Sequence, residues 1–206
     1  MGLASARMVN HYFLLIGAWA LFGLSHSFLA GTRLDRLFGH RSRLTYNLIA
    51  MVMTAIPFLV LARFPAIPLW QDQSWLQSVR IVVNVGVVLA FIHTLKFYSI
   101  SSFLGLKSDT WPLTFSPWNC WIRHPWYFLT LVFVWSQAMT DTWLISTLCM
   151  TMYLVIGSRK EEGRILAKHP GSYAEYLRIV PGLIPWRGRS LNEATRLRLE
   201  AMALQE

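Results

Sequence analysis

Long apolar runs separated by short basic or polar stretches dominate the chain. A helix needs about 20 mostly apolar residues to cross a bilayer. Runs from about Met8 to Ala30, Leu44 to Phe64 and Val79 to Tyr98 meet that length. Pro57 lies inside the second and predicts a kink. Two shorter runs, Pro125 to Met139 and Trp143 to Ser158, flank the polar turn Thr140-Asp141-Thr142. At a rise of about 1.5 Å per residue each is only about 25 Å long, so tilt, local bilayer thinning or neighbouring helices must help them span. The pattern predicts an all-α integral membrane helical bundle of about five transmembrane helices, with a cytoplasmic C-terminal segment. No internal repeat is visible. Ser27-Phe28-Leu29-Ala30-Gly31 offers a small-residue cleavage site of the signal-peptide kind, but the apolar stretch before it is long and contains His26.

Composition strengthens the membrane reading. Of 206 residues, 54% are hydrophobic and 14% charged, against roughly 25% charged in ordinary soluble domains; mean hydropathy is +0.40. The net charge of +9 would raise nucleic acid as a partner for a soluble chain. Here the basic residues sit between apolar runs, where they read as topology signals and contacts to anionic lipid, so the partner is the bilayer and no nucleic acid. Arg33, Arg36, Arg41 and Arg43 lie between runs one and two, and Lys107 and Arg123 between three and four. Arg159, Lys160, Arg164, Lys168 and Arg178 follow run five. The positive-inside rule puts the N-terminus outside and the C-terminus in the cytoplasm, as in a protein of the bacterial inner membrane. Residues 1–188 form the transmembrane domain and 189–206 a polar tail, where Ser190 and Glu193 make a capping-box pattern ahead of a short surface helix. Cys120 and Cys149 have neither metal nor disulfide spacing.

Polar residues at the ends of apolar spans are the first places to look for chemistry. Arg123-His124-Pro125-Trp126-Tyr127 opens run four, and Arg159-Lys160-Glu161-Glu162 closes run five. An antiparallel hairpin with its apex near Asp141 brings these groups together at the cytoplasmic surface. Pro125 suits a first helical position, and the exposed N–H groups of that turn favour a carboxylate or oxyanion. Downstream, Tyr173 and Tyr176 share a helical face, and Pro181 and Pro185 turn the chain back toward the membrane. Taken singly, these aromatic and basic residues also read as an interfacial belt; the Glu161-Glu162 pair does not.

Arg123-His124-Pro125-x-Tyr127, Glu161-Glu162, Gly171-x-Tyr173-x-x-Tyr176 and Val180-Pro181-x-x-x-Pro185 together resemble the integral membrane methyltransferases related to isoprenylcysteine carboxyl methyltransferase. The likeness covers residues 121–186. More loosely, Ser25-His26-Ser27, Arg43-Leu44-Thr45-Tyr46-Asn47, Gly105-Leu106 and the stretch from Trp135 to Met139-Thr140 resemble the bacterial methanethiol S-methyltransferase branch and NnrU-type membrane proteins. The resemblance implies methyl transfer from S-adenosyl-L-methionine, bound within 121–186 by His124, Pro125, Tyr127, Glu161, Glu162, Tyr173 and Tyr176. It implies Arg123, His124 and Arg178 beside the reacting groups, and a substrate pocket shaped by His26, Tyr46, Asn47 and Trp126. The acceptor is a small or membrane-partitioned molecule, most simply a thiol; its positive neighbours would favour the thiolate. The chain departs from many relatives at Leu129, where they carry glycine, and at Cys120-Trp121-Ile122, which lacks the glycine often found before Arg-His-Pro.

Two other readings stand beside this one. His26 and His93 fall near the inner ends of runs one and three, where a pair of imidazoles suits haem iron or another transition metal. No metal-ligand spacing supports such a site within one helix, so the expected metal set is none. A non-catalytic assembly or transport protein of the same fold would also retain these helices. Lys96 reads as a snorkelling charge, and oligomeric state is open.

Overall fold

The computed structural model describes residues 2–29, 42–99, 113–186, 188 and 190–206. Arg33, Arg36, Arg41, Lys107, the Gly105-Leu106 pair and the Arg43 side chain lie outside the described residues. The described chain is all-α: α1 (Gly2–Leu29), α2 (Ser42–Arg63), α3 (Ser74–Thr94), α4 (Pro125–Trp135), α5 (Asp141–Lys168), α6 (Ser172–Ile179) and α7 (Glu193–Ala203). A short 3-10 turn, Leu95–Phe97, prolongs α3.

Three stretches, Val9–Leu29, Leu44–Arg63 and Ser74–Phe97, are long and apolar enough to cross a membrane. Only 22%, 6% and 11% of their apolar windows is buried inside the protein. Helices with that much exposed hydrocarbon need a lipid solvent. Pro57 sits within α2 as its sequence position predicts. The third stretch starts five residues before Val79 because its first turn is polar. There the Gln73 carbonyl accepts from the Leu76 and Gln77 N–H groups, and Asp72 pairs with Arg80.

The fourth and fifth apolar runs form helices with other boundaries than expected, and neither is among the three stretches long and apolar enough to cross a membrane. α4 is 11 residues, about 16 Å long. It stops at Trp135 because the chain beyond it becomes extended: the Leu69 N–H donates to the Met139 carbonyl (3.1 Å) and the Asp141 N–H to the Ile67 carbonyl (3.0 Å), with Pro68 and Thr140 bridged. α5 does not end at Ser158 but runs 28 residues to Lys168. Glu161 and Glu162 are therefore held on a continuous helix.

By contacts the chain forms two compact units. The first comprises α1, α2, the first half of α3 and Trp135–Tyr153. Its interior joins Trp19 to Ser146 (Nε1 to Oγ, 3.1 Å) and packs Trp19 on Phe58 and Phe22 on Tyr153. Asp141 is its polar staple. The carboxylate accepts from the Tyr12 hydroxyl (2.6 Å), the Ile67 N–H (2.9 Å) and the Thr142 N–H (2.7 Å). Thr140 Oγ1 caps α5 by accepting from the Trp143 N–H (3.1 Å).

The second unit comprises the second half of α3 through Tyr98, the described residues 113–134, and Leu154 onward. Its core is Phe115, Tyr173, Tyr176, Val180, Leu191 and Leu199. The helix in the tail forms, but Asn192 caps it rather than Ser190, by accepting from the Thr195 N–H. Leu199 on that helix is completely buried, so the apolar face seats in the core while the polar face stays outside.

Candidate functional site

The site is built in the second unit on the loop that enters α4. Asn119 organises that loop. Its side chain accepts from the Ser116 N–H and donates to the Arg123 carbonyl (3.1 Å), while its own carbonyl accepts from the Tyr176 hydroxyl (2.7 Å). The next residues pair with the segment after α6: the Arg123 N–H donates to the Pro181 carbonyl (2.9 Å) and the His124 N–H to the Gly182 carbonyl (3.3 Å). Pro125 then starts α4, where its missing N–H costs nothing.

Arg123 reaches across this frame. Its Nε donates to Glu162 Oε1 (2.8 Å). Its Nη1 donates to the carbonyls of Leu177 (3.1 Å) and Val180, so the guanidinium also caps the C-terminal end of α6, where a cation is favourable. Gly182 makes room for it: a Cβ there would lie 3.0 Å from Arg123 Nη2. His124 Nε2 bonds the same Glu162 oxygen at 2.9 Å. Burial would raise the Glu162 carboxyl, but the His124 and Arg123 hydrogen bonds and charges outweigh it and hold the group below the usual carboxylate range.

Glu161 has a different environment. Its side chain is 41% exposed, against 17% for Glu162. It accepts from the Tyr127 hydroxyl (3.0 Å) and lies 3.6 Å from His124 Nδ1. The His124 and Tyr127 rings stack at 5.2 Å and 10°. The result is an accessible carboxylate beside a flat aromatic pair, backed by a closed Arg123–Glu162–His124 triad.

No protein-family model, curated protein or solved structure matches this chain.

Arg123, His124, Tyr127, Glu161 and Glu162, singled out in the sequence, form one cluster. Tyr173 and Tyr176 share a face as expected, but that face belongs to the hydrophobic core, where the Tyr176 ring lies 4.2 Å from Phe115 and 5.5 Å from Tyr173. Burial, and after it the charge of Glu162, holds the Tyr173 phenol far above its usual range; burial does the same for Tyr176. Tyr176 is thus an anchor for the Asn119 loop. Arg178 is on the exposed side of α6. Trp126 donates to Thr94 Oγ1 (2.9 Å) within this unit.

The other expected pocket residues, His26, Tyr46 and Asn47, belong to the first unit. There His26 Nε2 is hydrogen-bonded to the Tyr46 hydroxyl inside a ring of aromatics completed by Phe22 and Tyr153. His93 Nδ1 accepts from Trp118 Nε1 (3.0 Å). Both histidines proposed for haem therefore already spend one ring nitrogen on a neighbour. Among the described residues no group of three His, Cys, Asp or Glu side chains is placed to hold a metal.

Sequence reasoning missed three participants: Asn119, Gly182 and Glu206. Ser116-x-x-Asn119 is a local turn pattern that could have been read. Glu206 could not. Its carboxylate accepts from the Gly171 N–H (2.9 Å), the Ser172 N–H (2.9 Å) and Ser172 Oγ (2.8 Å), capping α6 from 34 residues away in sequence.

Proposed function

We propose that the chain is a five-span membrane methyltransferase that uses S-adenosyl-L-methionine, with α4 and α5 as the last two spans, the N-terminus outside and the C-terminus cytoplasmic. The observation that carries the reading is the unequal carboxylate pair. Glu162 is consumed by Arg123 and His124, while Glu161 stays exposed beside Tyr127. One carboxylate fixes the architecture and the other is left to a ligand.

The residues fit that cofactor. Glu161 complements an ammonium or a ribose diol, and the half-buried Tyr127 ring beside it suits a sulfonium. The cofactor supplies a methyl group on a positive sulfur, ready for in-line displacement. The chain's task is to orient and to exclude water, which accounts for most of the acceleration in such a reaction. The preferred acceptor is a small or membrane-partitioned thiol. Its proton would pass to water, and the thiolate lone pair would form the new S–C bond as the methyl–sulfonium C–S bond broke, leaving S-adenosylhomocysteine. Arg178, exposed on α6, brings positive charge that would favour the thiolate, while the Nε and Nη1 donors of Arg123 hold Glu162 and two carbonyls.

A second reading, a non-catalytic assembly or transport protein, is favoured by the internal satisfaction of Arg123, Glu162 and Tyr176, which would hold the fold without any ligand. Calorimetry separates the two. The detergent-purified protein is titrated with S-adenosyl-L-methionine and S-adenosylhomocysteine. Saturable binding is expected, weakened about 10–100-fold in Glu161→Gln, the equivalent of one charge-assisted hydrogen bond. No binding by the folded wild type, or wild-type affinity in both Glu161→Gln and His124→Ala, would remove the proposed site.

A further inference from the structure

The second unit buries its core well, yet three of the large apolar side chains it exposes are carried on two segments whose backbones pair with each other. Trp121 is 60% exposed, Ile184 63% and Trp186 56%. They belong together. The loop that carries Ile184 and Trp186 is flanked by pairings with the entrance to α4: the Pro181 and Gly182 carbonyls accept from the Arg123 and His124 N–H groups, and the Leu191 N–H donates to the Cys120 carbonyl (2.8 Å). Both ends of this loop are thus held against residues 120–124, with Trp121 between them. A tight turn, the Trp186 N–H donating to the Ile184 carbonyl (2.9 Å), keeps Ile184 and Trp186 together.

The surroundings name the partner. The loop closes onto the entrance of α4, whose 11 residues carry no charge and belong in hydrocarbon. Arg178 is exposed on the helix just before the loop, and Arg187 and Arg189 follow Trp186 in sequence. Tryptophan and arginine at the end of an apolar helix suit the headgroup boundary, where the ring buries its body and the cation meets anionic lipid. A packed core elsewhere in the same unit rules out loose folding as the cause of the exposure.

We propose that Trp121, Ile184 and Trp186 form an interfacial anchor that seats in the bilayer leaflet on the Arg123 side, with the lipid acyl chains just below the headgroups as its partner. The anchor rests on the proposed reading of α4 as a membrane span and not on methyl transfer, which its test does not read. The full-length protein is labelled with fluorotryptophan and placed in nanodiscs of phosphatidylcholine and phosphatidylglycerol. The Trp121 and Trp186 fluorine resonances are assigned from Trp121→Phe and Trp186→Phe, or from the Tyr variants where a Phe variant fails to fold. Lipids spin-labelled close to the headgroup should broaden both resonances more than a water-soluble gadolinium chelate does. Broadening by the chelate equal to or greater than that by the labelled lipid, at either tryptophan, would overturn the anchor.

Discussion

The Arg123–Glu162–His124 triad gives the sharpest test, through Glu162→Gln. The substitution keeps the shape and removes the charge. Both donors, Arg123 Nε at 2.8 Å and His124 Nε2 at 2.9 Å, address the same oxygen, and a neutral amide cannot match a carboxylate for either. Arg123 and Glu162 are 15% and 17% exposed, too buried for water to replace the interaction fully. Charge-assisted hydrogen bonds are worth about 1.5–3 kcal/mol each. With the amide oxygen retaining part of this, the loss is about 2–3 kcal/mol, or about 5–10 °C in midpoint for a chain of this size. The assay is thermal unfolding in detergent, followed by circular dichroism at several pH values. The Glu162 carboxyl is lowered in the folded state. Its contribution is therefore complete above the ordinary value of 4.5 and is lost as pH falls through the lower folded value. Wild type and Glu162→Gln should converge in acid and diverge above it. A constant gap across that window, or equal midpoints at neutral pH, would refute the triad as a source of stability.

Other expectations follow from the same contacts. Gly182→Ala places a methyl 3.0 Å from Arg123 Nη2 and should cost about 1–3 kcal/mol, read as a lowered midpoint. Asp141→Ala removes an acceptor shared by Tyr12, Ile67 and Thr142; a loss of about 1–3 kcal/mol should appear as faster proteolysis near residues 64–73. Glu206→Gln should raise amide exchange at Gly171 and Ser172, whose N–H groups it accepts, while leaving α1 and α2 unchanged.

The three long spans were legible because hydropathy is additive along the chain: a run of apolar residues either reaches bilayer thickness or does not. The pairing of Arg123-His124 with Glu161-Glu162 was legible too, because a hairpin with a polar apex fixes which residues come level. What the hairpin argument left open was the division of labour. Glu161 and Glu162 are adjacent and chemically identical, and only their directions from α5 make one a strut and the other an accessible acceptor. Tyr173 and Tyr176 show the same limit: their spacing gave the shared face, while the core decided that the face points inward.

Some features had no signal in any local pattern. α4 ends at Trp135 because the Leu69 N–H, 70 positions earlier, takes the Met139 carbonyl. Glu206 caps α6 from 34 residues away, whereas the Asn192 cap of α7 is a local choice over Ser190, made with an N–H three residues on. The sequence by itself determined the apolar helices and the polar groups at their ends, since both depend on composition over a few turns. The tertiary structure alone decided helix ends, the cap of α6 and which carboxylate stays accessible, since hydrogen bonds are short and directional and their partners are brought near only by the folding of distant segments.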